Sequence, residues 1–411
     1  MHNKGPILYI TTTLPALTVT FIYREIFQLE ARGWRVLSCS MNTPRSDRVS
    51  REAAELVSRT LYLDRISRWS MVAGAFATLV RHPVRAARSL VDAMRPLELC
   101  GVRGAGALLF HFIEAAHLAH VYRSASLRHI HCHFGSGPAS IGMFLARFLG
   151  IQFSFVMHGT DEFLIPVALT AKLRRCAFAV AISSYMRSHV LDVYGRQFAG
   201  KLEIVHCGIP LRRFDSSASK RDERAARVPC EILSVGQLQP RKGFDTLLQA
   251  CAELQRRGFD FRCRIIGDGP QRDHLQASVQ TQGLEGHVLM LGAVKQEDLL
   301  AYYRSADLFA LTCAVAADGD RDGIPVALME AMAMEVPVVS TRVSGIPELI
   351  RSMQEGVLVE AGDAAAVADS IVFLAGHPAE ARQMALRGRQ KVREQFDIET
   401  TVEQLERLLP A

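Results

Sequence analysis

Two doubly wound α/β domains, each built on a parallel sheet, are what this sequence predicts, and three observations predict them. The chain has 411 residues, more than a single core ordinarily serves. Strand-like and helix-like stretches alternate along it, the pattern of βαβ units. A charged, aperiodic stretch, residues 212–229, interrupts that alternation and reads as a linker. The expected division is an N-terminal domain over 1–211, the linker over 212–229, a second domain over 230–390, and a C-terminal helix over 391–411 crossing back to the first domain. Ligands of such sheets gather at the C-terminal ends of the strands, and two domains leave a central cleft to enclose one.

In chain order, residues 6–12 (PILYITT) read as a buried strand, 20–32 (TFIYREIFQLEAR) as an amphipathic helix ending at Gly33, and 34–40 as a second strand. The GxGxxG fingerprint is missing here, which argues against a dinucleotide site. Residues 66–127 turn helical and arginine-rich. Their arginines interleave with Trp69, Met71, Phe76, Leu79 and Val84, which suits either a membrane surface or helices covering one flank of the sheet. Strands are expected at 128–134, 151–157, 177–182 and 202–206, with helices at 139–149 and 183–193 and a loop over 135–138. A fresh series begins with a strand at 231–235, a helix at 245–257 and a strand at 261–266. Next come a helix at 271–281, a strand at 288–292, a helix at 296–305, and strands at 308–311, 338–341 and 357–359.

Composition narrows the class. Hydrophobic residues make up 49%, yet no apolar run approaches the roughly 18 to 20 residues that span a bilayer. Nine scattered cysteines without a CxxC pair, and no leader segment, fit a reduced, cytoplasmic chain, soluble or peripheral on the inner face of a plasma membrane. Residues 1–227 hold 30 Lys and Arg against 16 Asp and Glu (+14), leaving 18 against 26 (−8) for the remainder. The basic part suits nucleic acid, anionic lipid or a phosphorylated acceptor, or is simply solvated by arginine.

The second half is organised around residues 318–334, DGDRDGIPVALMEAMAM, an acidic loop running into a helix. Pro325 fits the first helical position, with Asp322 and Gly323 at or near the cap, and the free amides of that terminus suit a phosphate. Glu330, about a turn and a half on, can accept hydrogen bonds from vicinal hydroxyls, and Asp322 can serve a second polyol. Amides for a diphosphate with carboxylates on either side describe a nucleotide-sugar pocket; the alternative is an acidic capping loop before a core helix. In the loop 236–243, Lys242 offers a point charge and Arg241 a planar fork to diphosphate oxygens, or both are solvated surface charges. Gly267, Asp268 and Gly269 form a strand-end turn open to a ligand's backbone approach, and equally an ordinary tight turn. His158 ends an apolar strand with Asp161 near enough to orient it, unless it is satisfied within its loop. His131 and His133 raise zinc, but reading them on opposite faces of their strand, without a suitably spaced cysteine, leaves no metal site expected. Asp318, Asp320 and Asp322 alternate like a metal clamp for nucleotide diphosphates. With Arg241, Lys242 and the helix terminus supplying positive charge, no metal is required.

GQLQPRKGF, IIGDGP, DGDRDGIPVALMEAMA, PVVSTRVSGIPELI and GVLVEAGD together resemble the C-terminal domain of family 4 glycosyltransferases, which have the GT-B fold of two facing Rossmann-like domains. TFIYREI, HCHF, VMHGTD and ISSYMR resemble its bacterial exopolysaccharide branch, of the colanic-acid type. The resemblance implies that Glu330 holds the nucleotide ribose and Asp322 the donor sugar's hydroxyls. It sets Lys242 and the amides of Gly323 and Ile324 on the diphosphate, and His158 near the reacting centre. Gln237, Arg241, Gly267, Asp268, Gly269 and Val294 fall on the donor side, and His133, Asp161 and Thr18 on the acceptor side. It further implies a retaining, metal-independent hexosyltransferase with no cofactor. The donor would be a UDP- or GDP-sugar and the acceptor a lipid-linked or oligosaccharide intermediate, with peripheral association to anionic membrane and no nucleic acid. Three positions depart from the pattern. Gln237 stands where arginine is usual, with Arg241 expected to compensate; Asp322 replaces a glutamate; Thr18-Val19 replaces Ser-Glu. The competing readings are a GT-B sugar phosphorylase or epimerase, and a non-catalytic scaffold or carbohydrate-binding protein.

Overall fold

Short runs of β-branched and aliphatic residues, bounded by Gly, Asp or Pro, form thirteen strands in two sheets among the described residues. The computed structural model describes residues 4–16, 19–45, 49, 51–94, 97–159, 167–214 and 229–410. Two compact units emerge: unit 1 is Met1–His206 with Val402–Ala411, and unit 2 is Cys207–Thr401.

Unit 1 contains β1 (Lys4–Thr13), β2 (Trp34–Asn42), β3 (Thr60–Tyr62), β4 (His129–His133), β5 (Gln152–Met157), β6 (Ala179–Ala181) and β7 (Leu202–Ile204). They pair in parallel in the order β3-β2-β1-β4-β5-β6-β7. Parallel pairing needs crossovers, and the helices Thr20–Ala31 and Gly137–Leu149 are two of them. The second begins two residues earlier than the sequence suggests, because Pro138 is accommodated in the first turn, where its missing N–H leaves no bond unmade. The order reverses between β1 and β4, so the ends of β1, β4 and β5 flank a topological switch point. Leu8, Ile10, Phe144, Phe148, Phe155 and Leu173 are among its fully enclosed core residues. The final residues of the chain are tied to the first strands: Glu406 accepts from Trp34 Nε1 at 2.7 Å and Arg32 Nη1 at 3.2 Å and pairs with Lys4.

The helix Arg68–Arg81 buries Met71, Gly74, Ala75 and Thr78. Its other face is also apolar, and exposed: Trp69 (86%), Val72, Phe76 (66%) and Val80 recur at helical spacing. No helix among the described residues is long and apolar enough to cross a membrane.

Unit 2 contains β8 (Cys230–Val235), β9 (Phe261–Ile266), β10 (Val288–Gly292), β11 (Leu308–Leu311), β12 (Val338–Thr341) and β13 (Val357–Val359). Their order is β10-β9-β8-β11-β12-β13, again parallel, with the switch point between β8 and β11. Ile209, Leu211 and Phe214 belong to the unit 2 core, and Ile209 bridges to Asp397.

Candidate active site

The loops after β8 and β11 leave the unit 2 sheet on either side of its switch point, and their charged residues meet there. Arg241 Nη1 lies 2.6 Å from Asp320 Oδ2, its Nε lies 3.2 Å from Asp322 Oδ1, and Lys242 Nζ lies 2.7 Å from Asp322 Oδ2. All four side chains are at most 15% exposed, so these pairs are poorly screened by water. Burial alone would push the Asp322 carboxyl up; Lys242 and Arg241 outweigh it and hold it below its ordinary value. Burial likewise opposes the Arg241 charge, but Asp322 and Asp320 raise it above its ordinary value. The expected positive charge is thus matched, two cations to two carboxylates, and the Arg241 fork lies on aspartates. Of the alternating aspartates, Asp318 instead accepts from the Asp320 N–H at 3.0 Å.

Backbone contacts lock the loops together. Thr312 Oγ1 donates to the Gly243 carbonyl at 2.7 Å, and Ala314 N–H to the Arg241 carbonyl at 2.9 Å. Gly243 has φ +66°, and a Cβ there would come within 1.8 Å of the Thr312 carbonyl oxygen. Gly267, at φ +156°, lies as tightly against the Gly236 carbonyl. These glycines hold loop to loop; Asp268 turns its carboxylate onto the Gly269 N–H at 2.9 Å. Val294 is half-buried against the core, Ile324 is buried, and Gln237 lies half-buried at the loop's start.

Pro325 is not the first helical residue. Its ψ of 124° is extended, and it caps the helix Val326–Ala333, its carbonyl accepting from Leu328 N–H at 3.1 Å. Asp322 therefore lies in the loop, clear of the cap. Glu330, buried in that helix, accepts from Gln296 Nε2 at 2.7 Å and Tyr303 Oη at 3.0 Å. Burial, then the Glu330 charge, push the Tyr303 phenol well above its ordinary value, so it remains a donor. Gln296 and Tyr303 lie on the helix Gln296–Ser305, which sequence reasoning found without assigning them a role.

In unit 1, His133 and His158 do come together: His133 Nδ1 lies 2.9 Å from His158 Nε2 with the rings stacked. His133 is 1% exposed, so it stands behind His158. Its Nε2 lies 3.1 Å from Glu25 Oε1, which also accepts from Tyr9 Oη at 2.7 Å. The reading that set His131 and His133 on opposite faces is overturned. Strand side chains alternate with period two, so i and i+2 share a face, and His131 Nε2 lies 3.8 Å from the same Glu25 oxygen. Among the described residues, donor atoms of Glu25, His131 and His133 all lie within 4.8 Å of one another, close enough to hold a metal ion. Burial keeps the imidazoles neutral, pushing His133 down to about 3 and His131 and His158 well below their ordinary value. Glu25 and Tyr9 went unassigned in the sequence; the correct period for the HxH pair would have pointed to a shared partner. Asp161 and Thr18 lie outside the described residues. A separate cavity of about 410 Å³ opens by the starts of β8, β11 and β12, lined by Cys230, Leu308 and Pro337, and holds none of these groups.

Residues 216–391 match the family described as glycosyl transferases group 1. The chain is 38% identical over 211 residues to the amylovoran biosynthesis glycosyltransferase AmsK of Erwinia amylovora, covering 51% of each. To the GDP-mannose-dependent alpha-(1-6)-phosphatidylinositol monomannoside mannosyltransferase of Mycolicibacterium smegmatis it is 32% identical, over 56% of this chain and 62% of that one. The chain thus spans about half the length of the first curated relatives it matches. Sucrose-phosphate synthase from Thermosynechococcus elongatus shares the fold at a TM-score of 0.73 and 19% identity, over 98% of both chains. HepE of Anabaena, solved with UDP, does so at 0.71 and 16%, over 99% of both.

Proposed function

We propose, from the premise that residues 216–391 are a group 1 glycosyl transferase domain, that this chain is a retaining glycosyltransferase of exopolysaccharide assembly. It moves a hexosyl group from a UDP- or GDP-sugar to a lipid-linked or oligosaccharide intermediate. One observation carries the reading: the cations of the loop after β8 and the aspartates of the loop after β11 converge on the unit 2 switch point. A nucleotide diphosphate fits that set. Glu330, held by Gln296 and Tyr303, accepts from the ribose hydroxyls. Lys242 exchanges its Asp322 partner for the diphosphate, which frees an Asp322 oxygen for the sugar's hydroxyls, while the Gly323 and Ile324 amides add donors. Charge develops on the departing diphosphate, so stabilising it there is the main lever on rate. That diphosphate takes the acceptor proton on the same face of the sugar, which retains configuration.

Solved relatives in fold hold UDP or UDP-glucose, and the mycobacterial relative is GDP-mannose-dependent, so both bases are to be tried. Titrating UDP, GDP and their sugar conjugates, with and without magnesium, into wild type and Glu330→Ala tests the site. Binding of one nucleotide, unmoved by magnesium and weakened about 10- to 100-fold by the substitution, is expected. Gln237, in place of a cation, favours a second reading as a non-catalytic scaffold; an absence of any nucleotide binding would promote it.

Peripheral docking on anionic membrane belongs to the same proposal. Trp69, Val72, Phe76 and Val80 form an exposed apolar stripe, with Arg65, Arg68, Arg81, Arg85 and Arg88 nearby and Asp92 the one carboxylate within 65–92. In vesicle flotation with phosphatidylserine liposomes, Trp69→Ser with Phe76→Ser should weaken binding by about tenfold or more. An unchanged bound fraction would remove the stripe from the proposal.

A further inference from the structure

Glu25 and His131 have no role in the sugar-transfer chemistry, and with His133, expected on the acceptor side, they form one set. Two lie on β4 and one on the helix that follows β1, so the switch point of the unit 1 sheet brings them together. We propose that Glu25 Oε1, His131 Nε2 and His133 Nε2 are the three ligands of a divalent cation of the zinc class, with a fourth position left to solvent.

The spacing is that of a coordination sphere. Bonds of about 2.0–2.1 Å at tetrahedral angles set ligand atoms roughly 3.3–3.4 Å apart. The two imidazole nitrogens lie 3.1 and 3.8 Å from the shared carboxylate oxygen, on either side of that value. His131 supplies the stronger argument. Its residue is 0% exposed, its Nε2 has no hydrogen-bond partner, and that nitrogen faces Glu25 Oε1. Protonated, Nε2 is too far from the oxygen to donate; unprotonated, it turns a lone pair toward an anion. A cation between the two satisfies both, whereas an orphaned buried nitrogen is otherwise unfavourable.

The atoms behind the ligands are arranged to hold them. His131 Nδ1 meets Ser154 Oγ at 2.7 Å, His133 Nδ1 meets His158 Nε2 at 2.9 Å, and Tyr9 Oη donates to Glu25 at 2.7 Å. Such outer partners fix the tautomer and orientation of metal-bound histidine. Two imidazoles and one carboxylate suit zinc, and provide too few oxygens for calcium or magnesium. Access is through Glu25, whose side chain is 17% exposed.

Occupancy has a consequence for His158. Without the ion, His133 gives its Nε2–H to Glu25, so its Nδ1 accepts from His158 Nε2–H. With the ion on His133 Nε2, the proton of that neutral ring sits on Nδ1 and points at His158, whose Nε2 then accepts. In each ring one proton changes nitrogen and none is gained or lost. The cation thereby sets which His158 nitrogen is the donor.

The full chain, stripped with chelator, is dialysed against Zn²⁺ or Co²⁺ alone and assayed for bound metal. About one equivalent is expected, with cobalt showing the visible bands of a four-coordinate nitrogen and oxygen site. Glu25→Gln and His131→Asn should each lower uptake at least tenfold, and Ser154→Ala should weaken it about 10- to 100-fold. Imidazole ¹⁵N spectra should show His158 changing tautomer on zinc addition. No stoichiometric uptake by wild type would overturn the site. So would undiminished uptake by Glu25→Gln and His131→Asn, or a thiolate-to-cobalt charge-transfer band placing the ion on cysteine. Because the spectrum and stoichiometry are read on wild type, the test stands even if a buried-histidine variant fails to fold.

Discussion

The charged clusters at the two switch points are built on opposite accounts of charge. In unit 2, Arg241 and Lys242 face Asp320 and Asp322, cation for anion. In unit 1, one carboxylate, Glu25, faces neutral imidazoles, and the His131 nitrogen is unmatched. A balanced cluster can receive a diphosphate only by exchange, with Lys242 leaving Asp322. The unbalanced one can take a cation with every protein charge left in place. On the two proposals, the same sheet geometry, at the same topological position, receives an anion by competition and a cation by addition.

The contrast can be broken or sharpened in order of expected effect. Lys242→Ala should lower turnover by about two orders of magnitude or more if, as proposed, its charge stabilises the departing diphosphate. A loss under tenfold in steady-state kinetics would mean that exchange at Asp322 is not how the diphosphate is held. Next comes a carboxyl with no ion pair among the described residues. Glu114 is 3% exposed, and burial pushes it up to about 7, whereas Asp322 is held down by its partners. Between the ordinary value near 4.5 and about 7, the folded chain keeps a proton that the unfolded chain has lost, so stability falls as pH rises through that window. Chemical denaturation should show wild type losing roughly 2–3 kcal/mol relative to Glu114→Gln between pH 4.5 and pH 8. A pH-independent difference would show that burial does not control this group.

The smallest effect separates neighbours in one loop. Arg241→Ala should lower turnover about tenfold, since it leaves Asp320 without its arginine partner and Asp322 with Lys242 alone at the proposed donor site, and Gln237→Ala should change it much less. Equal losses would remove Arg241 from the compensating role.

Five unit 2 strands, β9 to β13, have bounds readable from sequence alone, since each is a β-branched or aliphatic run between sharp polar or glycine boundaries. β3, at three residues, is too short for any period to show. The chemistry of the candidate site was legible as residue types: a lysine, an arginine and two carboxylates in strand-end loops. Their pairing was not, because Arg241 and Asp322 are 81 positions apart and only the switch point brings them together. The histidine error lay in applying the period. HIHCH alternates, so His129, His131 and His133 share a face by the rule that identified the strand itself. Glu25 was hidden for another reason: a helix that buries Ile22, Ile26 and Leu29 gives no hint that the acid among them turns toward a neighbouring strand.

Glu406 also bears on the order in which a ribosome releases this chain. Unit 2 ends at Thr401, whereas unit 1 requires Val402 onward. Lys4, Arg32 and Trp34 are synthesised long before the Glu406 carboxylate with which they pair. Unit 2 therefore has all of its residues while unit 1 still awaits its own, and a premature stop just short of Glu406 would act on the strands translated first.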